Sequence, residues 1–330
     1  MLQRARLVAV VALVAVLISA GCAAPTPAPA PAGTPEPPAS YAALARYYAP
    51  IIRQGAASDQ DYITAVDFDG DWVGDNNWPN LPAGDLAAHV YYSLIETDSH
   101  WFLFYSLFHP RDYTAEPCAE SDGCHENDME SLEVVVARDH TAYGRPVALL
   151  TLAHSHIYLY SVDDAVARGA LKVRGKVTLE GSHPVVWVET YGHGIYGVPQ
   201  ALAPGTIVYK VSDSAAGQAE TPAGIAADNV LYRLVSIYDT LWQHRAEIGS
   251  GRLFDQPFDY RGHALPASFD GDDWGEDKAN SPWGYNQEIG LALTRGDFLL
   301  DPAKAFAHFA TIEGELSQNY LYNPFLDDLR

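Results

Sequence analysis

HVYYSLIETDSHWFLFYSLFHPRD, residues 89–112, decides the fold class. His89–Glu96 and Trp101–His109 are dense in aromatic and β-branched residues, and Thr97-Asp98-Ser99-His100 between them suits a hairpin turn. Working outward, further strands are expected at Ser131–Arg138, Val147–Ala153, His156–Ser161, Lys172–Leu179 and Pro184–Thr190, with turn residues between them. Such regular spacing predicts a mainly β protein built as an antiparallel β-sandwich. Helices are expected at its flank. Ser40 suits the N-cap of a short helix over Tyr41–Tyr48. Near the C-terminus, Val230, Leu231, Leu234, Val235, Ile237, Tyr238, Leu241 and Trp242 mark one apolar helical face ending at Gly249. A last helix starts at Asp301-Pro302 and carries Phe306 and Phe309.

The 330 residues include 48% hydrophobic residues, enough for a sizeable core. The net charge is −22, and removal of an N-terminal segment carrying Arg4, Arg6 and no acid makes it −24, which disfavours nucleic acid as a partner. Residues 1–22, MLQRARLVAVVALVAVLISAGC, join a basic start to an apolar core and small residues before a cysteine, the pattern of an export signal. The apolar core from Leu7 to Ile18 falls short of the roughly 20 residues a spanning helix needs. Ser19-Ala20-Gly21-Cys22 resembles a lipobox, which implies lipidation of Cys22 and attachment to a membrane. Ser19 stands where leucine is usual, so simple secretion stays open. Residues 23–39 are Pro/Ala-rich and read as a semi-extended tether, leaving one globular domain over 40–330 at the bacterial cell envelope.

The stretch from Phe108 to Glu130 gathers Asp112, His125, Asp128 and Glu130 beyond an apolar segment. H-x-x-D-x-E entering a strand places an imidazole and two carboxylates at the strand's mouth, where a divalent cation relieves their repulsion. A solvated acidic turn is the plainer alternative. In an oxidising compartment Cys118 and Cys124 can pair and stiffen this loop. Both thiols joining His125 on zinc is the competing arrangement.

FHPRD, HENDME, LAHSH and GSHPVVWVETYGHGIYG together resemble the superfamily of the necrosis-inducing (Nep1-like) cytolysins and the proteins related to vacuolar protein sorting-associated protein 62, over roughly Ala88–Gly197. In the cytolysins the Asp of a P-K-D-like triplet and the His, Asp and Glu of a G-H-R-H-D-W-E heptad coordinate a divalent cation. Carried over position by position, the resemblance implies Asp112, His125, Asp128 and Glu130 as ligands of Ca2+ or Mg2+, with Mn2+ an alternative. HENDME has Glu126-Asn127 in place of the heptad's second His, and Met129 in place of its Trp. The match to the vacuolar-sorting-like relatives, with H-E-x-D-x-E and a later H-P and G-H, is better.

Glycine-flanked His193 has a local geometry that lets its ring approach another chain closely, as a base or a ligand-binding donor or as a buried hydrogen-bonding group. His154 and His156 share one strand face, with a supporting role beside the site as one reading. Upstream, DFDGDWVGDNNW sets Asp67, Asp69, Asp71 and Asp75 at relative positions 1, 3, 5 and 9, a spacing found in loops that wrap calcium. FDGDDWGED at 269–277 partly repeats it. If the two loops meet, Trp72, Trp78, Trp274 and Trp283 could wall a cleft for sugar faces. No G-x-S-x-G elbow, H-E-x-x-H helix or phosphate-binding loop is present. The expected function is cation-dependent binding of a glycan or polar lipid headgroup at the envelope. A metal-dependent hydrolase using His193, or a calcium-stabilised structural protein, are the alternatives.

Overall fold

The computed structural model describes residues 39–116, 118, 123–164, 166–219, 228–271, 278–287 and 289–330. The export segment, Cys22, most of the tether and Trp274 lie outside them. No helix among the described residues is long and apolar enough to cross a membrane.

The strands in chain order are β1 (Ile51–Gly55), β2 (His89–Thr97), β3 (His100–Asp112), β4 (His125–Ala137), β5 (Arg145–Ala153), β6 (His156–Ser161), β7 (Val166–Arg168), β8 (Val173–Lys176), β9 (Leu179–Glu180) and β10 (His183–Val188). They continue with β11 (Ile195–Tyr196), β12 (Thr206–Val211), β13 (Asp228–Ser236), β14 (Phe254–Tyr260), β15 (His263–Phe269), β16 (Ala310–Ile312) and β17 (Tyr320–Tyr322). Helices are short: α1 (Tyr41–Tyr47), α2 (Asn77–Asn80), α3 (Asp297–Leu300), α4 (Pro302–Phe309) and α5 (Pro324–Asp328).

The protein is mainly β, but the sheet corrects the expected sandwich. One mixed 13-stranded sheet runs β11-β10-β1-β12-β13-β2-β3-β4-β5-β6-β8, with β9 and β17 attached beside it, and it curls into a half-barrel. Only β2 to β6 form the antiparallel meander that the spacing predicts; β1 with β10, β12 with β13, β13 with β2, and β6 with β8 pair in parallel. The second correction concerns 230–242. Val230 and Tyr232 are buried while Asn229, Leu231 and Arg233 are exposed, a period of two, so this segment is strand β13 followed by a turn and a short 3₁₀ helix at Leu241–His244. An exposed Leu231 had completed a helix-like pattern that packing does not use.

β3 is buried from His100 to Pro110 because both of its faces are covered. On one face Phe102 and Phe104 meet Phe306 and Phe298 edge-on at 6.4 and 5.1 Å, which places α3 and α4 there. On the other, Tyr105 donates to the Ala45 carbonyl of α1 at 2.6 Å. α4 begins at Asp301-Pro302 and α1 is capped by Ser40, both as expected.

Candidate metal centre

The C-terminal end of β3 lies beside the N-terminal start of β4, and the register sets Asp112 opposite His125, His109 opposite Asp128 and Leu107 opposite Glu130. A bulge intervenes, where Arg111 faces both Glu126 and Asn127. Asn127 takes a positive φ of 61°, and its amide donates to the carbonyls of Gly74 (2.9 Å) and Asp270 (2.8 Å). The extra residue is thereby pinned from two distant loops. The disulfide Cys118–Cys124 closes the β3–β4 connection.

Asp112, His125, Asp128 and Glu130 all line one cavity of about 230 Å3. Asp112, His125 and His154 also line a more open groove of about 440 Å3, bordered by Tyr113, Glu189 and Tyr191. His125 Nδ1 donates to the Asn127 carbonyl at 2.8 Å, which fixes the proton there and leaves the Nε2 lone pair facing Asp112 Oδ2 at 3.5 Å. Two acceptors therefore oppose each other. Burial first, and then the Asp128 charge, push the Asp112 carboxyl up to about 7. The same two influences hold Glu130 well above the usual carboxylate range. No Lys or Arg among the described residues forms an ion pair with these three carboxylates. This donor set suits a hard divalent cation: oxygen-rich, partly desolvated and without a Lys or Arg partner among the described residues.

Behind it runs a second, fully buried line. His193 Nδ1 donates to Asp128 Oδ2 at 2.8 Å and Nε2 donates to Asp61 Oδ1 at 2.9 Å. Burial opposes the imidazolium, but these two hydrogen bonds outweigh it and lift His193 to about 9. Burial likewise works against the Asp61 charge, yet His193 holds its carboxyl below the ordinary value. His109 stacks on His193, with centroids 3.8 Å apart and 8° between planes, and its Nε2 accepts from Gln54 at 2.9 Å. Burial, then the His193 charge, drive its pKa well down. The ligand atoms of His109, Asp128 and His193 lie within 4.8 Å of one another, so this triad could hold a metal ion, and it is the one such group among the described residues. Both His193 nitrogens are already donors, however, so metal there would have to displace its proton; Asp112, His125, Asp128 and Glu130 share the cavity, although no three of their ligand atoms lie within 4.8 Å of one another. His193 itself is fully buried and lines neither cavity.

The glycines around His193 are required by space. A Cβ at Gly192 would meet His154 Cε1 at 2.7 Å, and one at Gly194 would meet Glu189 Oε1 at 2.5 Å. His154 Nε2 and Glu189 Oε1 are 2.5 Å apart, and the His154 amide donates to Glu130 at 2.9 Å. His154 thus supports the site, while His156 lines neither cavity.

The upstream acidic loop is built differently. Asp69 accepts from the Asp71 amide and from Asn80, Asp71 accepts from the Val73 amide and from Asn76, and Asp75 accepts from Gly251. Asp67, Asp69, Asp71 and Asp75 are not drawn together around a common point. The two FDGD loops do meet, since the Gly251 amide also donates to Asp270 at 2.9 Å. Among the described residues the tryptophans wall no common cleft: Trp72 stacks on His244, Arg111 covers Trp78, and Trp283 is core, edge-on to Trp242.

Asp61, His109 and Glu189 are the members that sequence reading passed over. For Asp61 a signal existed, the capping box Ser58-x-x-Asp61 that the structure forms.

No family model and no curated protein matches the chain. Solved structures do. They include necrosis and ethylene inducing protein 2 from the agent of cocoa's witches' broom disease, 15% identical, covering 61% of this chain and 76% of that one with a TM-score of 0.31. NLPPya in complex with mannosamine is 17% identical, with coverage of 62% and 76% and a TM-score of 0.32. The non-toxic HaNLP3 protein is 15% identical, with coverage of 60% and 78% and a TM-score of 0.31. The matching solved structures are Nep1-like proteins.

Proposed function

We propose that this protein is exported, anchored through lipidated Cys22, and uses Asp112, His125, Asp128 and Glu130 to hold one divalent cation that receives the hydroxyls of a glycan or polar lipid headgroup at the cell envelope. The carrying observation is the cavity itself: three buried or half-buried carboxylates and an imidazole with its lone pair turned inward, none of the carboxylates paired with Lys or Arg among the described residues. Oxygen donors of this kind favour Ca2+ or Mg2+, with Mn2+ able to substitute. The adjoining groove supplies Tyr113 and Tyr191, edge-on at 4.9 Å, as ring surface for a sugar. His193 supports this arrangement by holding Asp128 in place. The test is metal content of the purified mature protein by mass spectrometry, beside Asp112→Ala/Asp128→Ala. One ion per chain, absent from the double variant, supports the reading; an ion retained in the double variant, or none taken up from added Ca2+, Mg2+ or Mn2+, overturns it. Cys22→Ala releasing the protein from membranes checks the anchor.

A further inference from the structure

The far wall of the same cavity is formed by the chain after β15 and by the β14–β15 hairpin, and it includes Lys278 and Arg295. These two cations differ. Lys278 is neutralised by Asp255 at 2.8 Å and Asp270 at 3.3 Å. Arg295 forms no ion pair among the described residues, its Nε is buried with no hydrogen-bond partner, and its guanidinium lies over the face of Phe258, 5.6 Å from the ring centroid. Burial is the sole influence on its ionisation, lowering a pKa that still leaves it charged. A half-buried guanidinium without a counter-ion, in a chain of net charge −22 that offers 42 acidic residues, is a costly arrangement unless an anion arrives from outside. The planar fork suits an oxyanion, which it can grip through two parallel hydrogen bonds. Gln256 and Asn280 line the space between and offer neutral donors.

We propose that Arg295 is the recognition residue for an oxyanion carried by the ligand, so that the protein selects acidic sugars, bearing a carboxylate or phosphate, over neutral ones. The inference rests on the cavity being the glycan site: hydroxyls reach the cation end and the anionic substituent reaches the Arg295 end.

The test is ligand-observed NMR on the mature protein with methyl β-D-glucuronide, methyl β-D-glucoside and glucose 6-phosphate, in Ca2+ and in EDTA. In Ca2+ the wild type is expected to hold an acidic probe at least about tenfold more tightly than the glucoside, the worth of one charge-assisted hydrogen-bond pair. Arg295→Gln should bring the ratio to within about threefold, and Arg295→Lys should retain part of it as a point charge without the fork. Carboxylate or phosphate preference each supports the proposal, and their ranking assigns the source of the anion. Equal binding of acidic and neutral probes, no binding of any, or a preference that Arg295→Gln leaves intact overturns it. Calorimetric Ca2+ uptake separates the two readings: unchanged uptake with no acidic preference sinks only the Arg295 proposal. Absent uptake with an Arg295-dependent preference in EDTA sinks only the cation.

Discussion

Two acidic clusters are tied through Asn127, whose amide donates to the Gly74 carbonyl, yet their carboxylates are in different conditions. In the Asp67–Asp75 loop Asp69, Asp71 and Asp75 are answered locally, by backbone amides two residues on, by Asn76 and Asn80, or by Gly251. Such Asx-type bonds are what short acidic side chains do in turns. At the β3–β4 end the backbone amides are largely consumed by the strand ladder, so Asp112, Asp128 and Glu130 face a cavity and one another. Acid spacing is therefore the weaker guide: a regularly spaced acidic run can be answered within its own turn, whereas carboxylates from two strands can gather on one cavity with few local donors.

The comparison can be broken in four ways, taken from the largest expected effect. His193→Ala leaves Asp61 and Asp128 buried beside each other without their shared counter-charge, and should cost about 3–5 kcal/mol in urea denaturation of the chelated protein. A loss under about 1 kcal/mol would show that the buried line carries no weight.

Next comes a buried group belonging to neither cluster. His100 is pushed down to about 4 by burial and then by the Arg145 charge, so the unfolded chain binds its proton first. Stability should fall by about 2–3 kcal/mol as pH drops from about 6.5 to 4. The slope should survive chelation and flatten in His100→Gln; a slope present only with cation would move the acid response into the site.

Glu130→Gln keeps an acceptor for the His154 amide while removing one charge. Cation affinity should drop about 10- to 100-fold by calorimetry, with little change in the stability of the metal-free protein. Asp71→Ala is the mirror image and the smallest effect: about 1 kcal/mol of stability lost with its turn bonds, and cation stoichiometry unaltered. If Asp71→Ala removes an ion and Glu130→Gln does not, the two clusters have been assigned the wrong way round.

What could be read from the sequence follows the range of the interactions. β2 to β6 announce themselves because each pairs with its neighbour along the chain, and that Asp112, His125, Asp128 and Glu130 share one cavity was legible because they lie on the two strands of one hairpin. Glu189 and Arg295 reach the site region from remote parts of the chain, and nothing in their local sequence records that approach; the Ser58-x-x-Asp61 capping box marks a turn and leaves the contact of Asp61 with His193 unrecorded. Two of the parallel pairings were illegible for the same reason: Ile51 lies beside Val185, and Arg233 beside His89, with more than a hundred residues between. Val230–Trp242 misled because an exposed Leu231 imitates a helical face.

β1 has a consequence in time. It leaves the synthesis or export machinery early, yet its partners are β10 on one side and β12 on the other, so one edge stays open until residue 188 has appeared and the other until residue 211. Such distant pairing slows folding and leaves an apolar Ile51-Ile52 strand available to other chains meanwhile. The β2–β6 meander, all local pairing, has no such wait. Assembly is therefore expected in two waves, with the Asp112–His125 end of the β3–β4 hairpin formed in the first and His193, which bonds Asp128, arriving with the second, and a holding chaperone would find its target in the interval.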